Sequence, residues 1–185
     1  MRYYIDTEFI ENGKTIDLIS IGVVAEDGRE FYAQNLACQF DNAHDWVKTN
    51  VLPCLSGFNS EMKRPHLDLD GDPEGPWYTR KAIAEEVIAF CDPARYGKPE
   101  FWGYYSAYDH VALCQIFGTM MELPQGWPML TYDLRQFLDA KGLQGVTQPD
   151  DMPHHALGDA RWIAETHQKV SKEGNVQSES RAASL

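Results

Sequence analysis

The first third of the chain alternates in a strand rhythm. Residues 2–9 (RYYIDTEF) are rich in aromatic and β-branched side chains, which fit a pleated, half-buried surface. Glu11-Asn12-Gly13 supplies turn chemistry. Residues 16–24 (IDLISIGVV) form a nearly unbroken apolar run, as expected of a strand covered on both faces. Glu26-Asp27-Gly28 marks a second turn, and residues 29–35 read as a third strand. Three strands joined by short turns predict an antiparallel meander.

The rhythm then changes. Residues 43–51 predict a short helix stopped before Pro53. Thr79 is placed to cap a helix with Ile83, Val87 and Phe90 on one face, and Asp92-Pro93 ends it. Residues 100–105 predict a fourth strand, 109–117 a helix closed by Gly118, and 127–132 a fifth strand. Leu134, Phe137 and Leu138 mark a short helix ending near Gly142, and the last helix covers 156–170. Three antiparallel strands followed by alternating helices and strands predict an α/β fold with a mixed sheet. Residues 1–172 form the predicted domain. Within it, 58–77 is rich in Pro, Gly and Asp and is expected as a surface loop. Residues 173–185 are small and polar and are expected as a disordered tail.

Composition narrows the function. The chain has 185 residues, with 16 Lys plus Arg against 28 Asp plus Glu, for a formal charge of -12. That excludes binding nucleic acid through a diffuse basic face. No run approaches the roughly 18 apolar residues of a membrane span, and the first residues lack the apolar stretch of a signal peptide. Cys38, Cys54, Cys91 and Cys114 are widely spaced, with no C-x-x-C pair. The expectation is reduced, structural thiols in a cytoplasm, with neither a disulfide framework nor a zinc site.

The chemistry lies in the carboxylates. Asp6 and Glu8 are two apart on a strand, so both face one side and Thr7 the other. Two like charges in a central strand call for a counter-ion. Asp159 sits in the first turn of the last helix, on the face shared by Ala156, Ala160, Ile163 and His167. Asp109 lies where strand four gives way to a helix, where functional groups collect in α/β sheets. His154 lies just ahead of the last helix, beside His155. A loop histidine next to carboxylates can take a proton from water near neutral pH. Carboxylates converging from three elements suit two divalent cations roughly 3.5–4 Å apart, the arrangement that hydrolyses phosphodiesters. Hard oxygen ligands favour Mg²⁺ or Mn²⁺.

These residues resemble the DEDDh exonuclease family, whose ribonuclease H-like domain carries an Asp-Glu-Asp-Asp metal set and a histidine. The D-x-E motif is Asp6-Thr7-Glu8, and H-x4-D is met by His154 and Asp159, a spacing His155 does not give. Tyr108-Asp109 fits the second motif, with Tyr105 standing where Asn is common. The runs DTEFIENGKTIDLISIGVVAEDGREFYA, WVKTNVLP, YSAYDHVALCQIFG and HHALGDAR are similar to the bacterial polyadenylate-specific 3′-exoribonucleases, the ribonuclease AS branch. The similarity covers most of residues 1–170 and departs at 58–77 and in the tail.

The resemblance implies a ribonuclease H-like sheet with helices on both faces, and a homodimer. It implies removal of nucleoside 5′-monophosphates from single-stranded RNA 3′ ends, with a preference for adenylate. Asp6 would bridge two metal ions, Glu8 and Asp159 would hold the nucleophile-side ion, Asp109 would serve the other, and His154 would be the general base. Thr7 and Phe9 are candidate substrate contacts, with Phe9 placed either to pack on the terminal base or to pack into the core. The alternatives are a DNA 3′-5′ exonuclease of the same family and a non-catalytic nucleic-acid-binding module.

Two features stand apart. The five tryptophans are expected mostly in core or interface, with Trp77 beside Tyr78 the candidate among them for an exposed stacking surface next to the 58–77 loop. Asp68 to Asp72 imitates the start of a calcium loop, but Pro73 and Thr79 occupy the places that require Gly and Glu. A solvated acidic loop is the expectation there. Two bound divalent ions would bring the charge from -12 to about -8, so the grip on phosphate would come from borrowed cations.

Overall fold

A computed structural model describes the backbone of residues 1–182 and the side chains of residues 1–172. In chain order the strands are β1 (Arg2–Glu11), β2 (Ile16–Ala25), β3 (Glu30–Asn35), β4 (Phe58–Asn59), β5 (Arg64–Pro65), β6 (Trp77–Tyr78), β7 (Glu100–Gly103) and β8 (Tyr132–Asp133). The helices are α1 (Asp45–Asn50), α2 (Arg80–Phe90), α3 (Pro93–Tyr96), α4 (Ala107–Phe117), α5 (Leu134–Ala140) and α6 (Ala156–Ala182).

Six strands form one sheet in the order β6-β3-β2-β1-β7-β8. The β1–β2 and β2–β3 pairs are antiparallel, as the short turns require. The β1–β7, β7–β8 and β3–β6 pairs are parallel. The fold is therefore the expected mixed α/β arrangement, with β1 at its centre.

Alternation along β1 and β2 divides the core. Tyr3, Ile5, Ile21 and Val23 face Ile83 and Val87 of α2 and Leu113 of α4. Tyr4 and Val24 face the other way, toward Leu134 and Leu138 of α5 and Ala160 and Ile163 of α6. Helices thus cover both faces, which explains why β1 and β2 carry almost no exposed positions. A third cluster joins Ile10 and Ile19 to Phe40, Val47 and Trp77 and fastens the α1 region to the sheet.

Several elements differ from the sequence reading. The fifth strand shrinks from 127–132 to Tyr132–Asp133. Pro128 cannot donate to a ladder, and Trp127 is buried as a plug against Phe101 and Phe117. The fourth strand stops at Gly103 because Tyr105 takes a left-handed conformation, with φ 55°. The 58–77 segment holds the small β4–β5 hairpin and ends by adding β6 to the sheet edge. Trp77 is consequently 6% exposed, with its indole N–H donating to the Ser56 carbonyl, and offers no stacking surface. In the acidic loop, the Asp68 side chain accepts from the backbone of Asp70 and Asp72, a local turn. The last helix runs to Ala182, past the expected end at 170. The side chains of the expected tail, 173–185, lie outside the described residues. None of the described helices is long and apolar enough to cross a membrane.

Candidate active site

The site forms where β1 meets the starts of α4 and α6. Asp6 and Glu8 share the β1 face that carries Tyr4 and looks toward α6. Asp6 pairs with Gly22 and Glu8 with Ser20, and the register shifts between Glu8 and Phe9. Such a bulge bends a strand and re-aims the side chains beside it.

Gly22 decides how close α6 can come. A Cβ at that position would overlap backbone atoms of Ala156 and Leu157. With only hydrogen there, the first turn of α6 presses on the sheet directly behind Asp6 and delivers Asp159, which is 5% exposed. Gly103 makes the equivalent allowance at the other helix. A Cβ there would lie 2.6 Å from that of Ser106, which would spoil the tight turn into α4. Tyr105, held at φ 55° in that turn, is the kind of backbone outlier that gathers at functional sites.

Asp109 reaches the site from the first turn of α4 and is fixed by Thr7. The Thr7 backbone N–H donates to Asp109 Oδ1 at 2.9 Å and its hydroxyl donates to the same oxygen at 2.6 Å. Thr7, 4% exposed, is therefore engaged with a carboxylate, where a substrate contact had been expected. Phe9 stacks on Tyr108 with ring centroids 5.6 Å apart and planes 12° from parallel, and both line the cleft.

The two histidines separate cleanly. Side-chain atoms of Glu8, His154 and Asp159 lie within 4.8 Å of one another, close enough to share one metal ion. His155 turns away and stacks on Tyr32 at 4.4 Å. Trp46 of α1 sets its ring nearly perpendicular to His154, centroids 4.7 Å apart. Asp6, Glu8, Asp109, His154 and Asp159 all line one cleft of about 390 Å³, whose lining includes no Lys or Arg among the described residues. A second cavity of about 470 Å³, at Ile10, Asp17, Arg80 and Gly118, holds no such carboxylate set.

Without a cation the cluster is electrostatically frustrated. Burial, then the charges of Asp159 and Asp109, push the Glu8 carboxyl up to about 8. Burial pushes Asp109 up to about 6 against the opposing pull of the Thr7 donors. Burial likewise raises Asp159 to about 6, although Gln148 donates to it. Asp6 is raised well above the ordinary carboxylate range, by burial first and then by Asp109, Glu8 and Asp159. Four crowded acids on a rigid strand and two helix starts are suited to hold hard divalent cations.

The structure brings together all five residues expected at the metals and base. Sequence reasoning missed Gly22, Gln148 and Trp46. Gly22 had a usable signal, an isolated glycine inside an apolar strand, which marks close backbone approach. Gln148 sits in a featureless loop and had none. Trp46 was visible only as part of a resembling run.

Comparison with known proteins places the chain in a family. The family described as 3'-5' exoribonuclease Rv2179c-like domain matches residues 1–171. The protein named 3'-5' exoribonuclease Rv2179c, from Mycobacterium tuberculosis (strain ATCC 25618 / H37Rv), is 43% identical over 162 residues, covering 87% of this chain and 88% of its own. The protein named 3'-5' exoribonuclease MT2234.1, from strain CDC 1551 / Oshkosh of the same species, matches to the same extent. The chain belongs to the Rv2179c-like 3'-5' exoribonuclease domain family.

Proposed function

We propose that the chain is a 3′-5′ exoribonuclease of the DEDDh type, with a ribonuclease H-like domain, that removes nucleoside 5′-monophosphates from single-stranded RNA. The observation that carries this reading is the convergence of Asp6, Glu8, Asp109, Asp159 and His154 in one cleft that no Lys or Arg lines among the described residues. The two curated relatives are named for the same activity.

The donor set fits two Mg²⁺ or Mn²⁺ ions. Carboxylate oxygens are the ligands such ions prefer, and burial together with mutual repulsion gives the four acids reason to accept them. By the DEDDh resemblance, Asp6 would contact both ions. Glu8 and Asp159 would hold the one on the water side, and Asp109 the one on the leaving-group side. When bound, such ions lower the pKa of water and stabilise the leaving oxygen. The chain's own residues do the rest. Thr7 fixes the Asp109 carboxylate. His154, within 4.8 Å of Glu8 and Asp159, takes the proton from water beside them. Phe9 and Tyr108 offer a stacked aromatic surface to the terminal base.

The reading includes a preference for adenylate, a cytoplasmic setting in which the four unpaired cysteines stay reduced, and a homodimer. Exposed Met120, Met121, Met129 and Leu130 supply apolar surface for such an interface. Digestion of 5′-labelled oligo(A), oligo(U) and a DNA oligomer with Mg²⁺ tests the substrate class. The proposal predicts a one-nucleotide ladder shortening from the 3′ end, fastest on oligo(A). Faster digestion of DNA would overturn the RNA assignment, and no digestion of any of the three would overturn the enzyme.

A further inference from the structure

We infer that Gln148 is a positioning residue. From a loop pinned by buried Arg135, it orients the Asp159 carboxylate beside Glu8 and His154. The inference rests on the metal reading of the site and adds to it the group that aims one ligand.

The Gln148 side-chain amide donates to Asp159 Oδ1 at 2.6 Å. Among the described residues no other side chain donates to that carboxylate. A donor on one oxygen fixes the rotation of the group, which is what partners of metal ligands do. The same nitrogen also donates to the Met152 sulfur at 3.6 Å.

A glutamine can aim a carboxylate only if its own backbone is held. Residues 143–155 contain no helix or strand, so a ladder does not hold it. Arg135 does. Its guanidinium donates to the Val146 carbonyl at 2.7 Å, the Leu143 carbonyl at 3.2 Å, the Gln144 carbonyl at 3.4 Å and the Asp139 carboxylate at 2.8 Å. It is 8% exposed. Its two terminal nitrogens carry these bonds while the buried Nε has no partner among the described residues; a desolvated guanidinium is expensive unless its donors are met, so the charge holds on to the loop carbonyls. The lock reaches the other helix as well. Asp133 caps α5 through the Arg135 N–H at 2.7 Å, and its second oxygen accepts from the Ser106 N–H at 2.8 Å, at the start of the helix bearing Asp109.

The test is calorimetric titration of the full-length chain with Mn²⁺ at pH 7.5, parent against Gln148→Leu, with Mg²⁺ activation curves and melts in EDTA alongside. Losing a second partner of a metal ligand typically costs about 10–100-fold in affinity. The expected result is a loss of that size in Mn²⁺ affinity, an equal rise in the Mg²⁺ concentration for half-maximal rate, and an EDTA melting temperature close to the parent's. Arg135→Lys, which keeps the charge and loses the fork, should move affinity the same way by less. Gln148→Leu binding Mn²⁺ like the parent would overturn the inference. A lower EDTA melting temperature with unchanged affinity would reduce Gln148 to a packing role. A parent chain that binds no Mn²⁺ would instead overturn the metal reading itself.

Discussion

Removing metal should leave a protein that loses stability as pH rises, and the site sets the size of the effect. Glu8 moves from an ordinary value of 4.5 to about 8 in the folded chain. A carboxyl with a raised folded-state value holds its proton more tightly when folded. Its contribution is therefore fully present below pH 4.5 and is lost as pH climbs toward 8. At about 1.4 kcal/mol per pH unit, Glu8 alone accounts for up to about 5 kcal/mol. Asp6, Asp109 and Asp159 titrate in the same direction, though the four share one repulsion and do not add.

In a domain of this size each kcal/mol shifts the melting temperature by about 2–4 °C. The EDTA-treated chain should thus melt roughly 10 °C lower at pH 8 than at pH 5. Saturating Mg²⁺ should flatten the slope by meeting the charges, adding about 2.7 kcal/mol at a hundred times its dissociation constant. Asp6→Asn should flatten it too, which separates the cluster from the diffuse charge of -12. An apo melting temperature that is level or rises between pH 5 and 8 would refute the reasoning, as would a slope that neither Mg²⁺ nor Asp6→Asn changes.

Three further outcomes follow from the positioning of the site. Gly22→Val should push the first turn of α6 off the sheet; a ligand displaced by an ångström costs on the order of 100-fold in rate, and Mn²⁺ titration should show weaker binding. Thr7→Val keeps the shape and removes the 2.6 Å donor to Asp109; kcat on oligo(A) should drop about 10–100-fold while far-UV circular dichroism stays unchanged. Trp46→Ala removes the ring that stands against His154; kcat should fall while calorimetric Mn²⁺ affinity holds, and Trp46→Phe should recover most of the rate.

The fold was legible where local signals were strong. The β1–β2–β3 meander, the Thr79 cap, whose hydroxyl accepts from the Ala82 N–H, and the facing of Asp6 and Glu8 all follow from period, turns and capping. Elements fixed by tertiary contact were not. Residues 127–131 look like a strand, but Trp127 is claimed by Phe101 and Phe117. Trp77 is buried, as most tryptophans of a chain this size are, but sequence does not announce the sheet edge that β6 joins to bury it. At the site, the match to the DEDDh motifs named the candidate ligands and favoured His154 over His155. The partners that hold those ligands come from distant elements. Thr7 reaches Asp109 from a different element, and Gln148 reaches Asp159 through a loop ordered by Arg135.

The central claim is that the carboxylate cluster and His154 carry out RNA hydrolysis with divalent cations. The most direct measurement is single-turnover release of AMP from oligo(A) labelled in its 3′-terminal nucleotide at saturating Mg²⁺, comparing the parent with Asp6→Asn and His154→Ala. General acid–base catalysis is worth about 10²–10⁴-fold, so His154→Ala should slow AMP release by at least that lower figure, Asp6→Asn should abolish it, and EDTA should stop the parent. Either variant releasing AMP at the parent's rate would contradict the account.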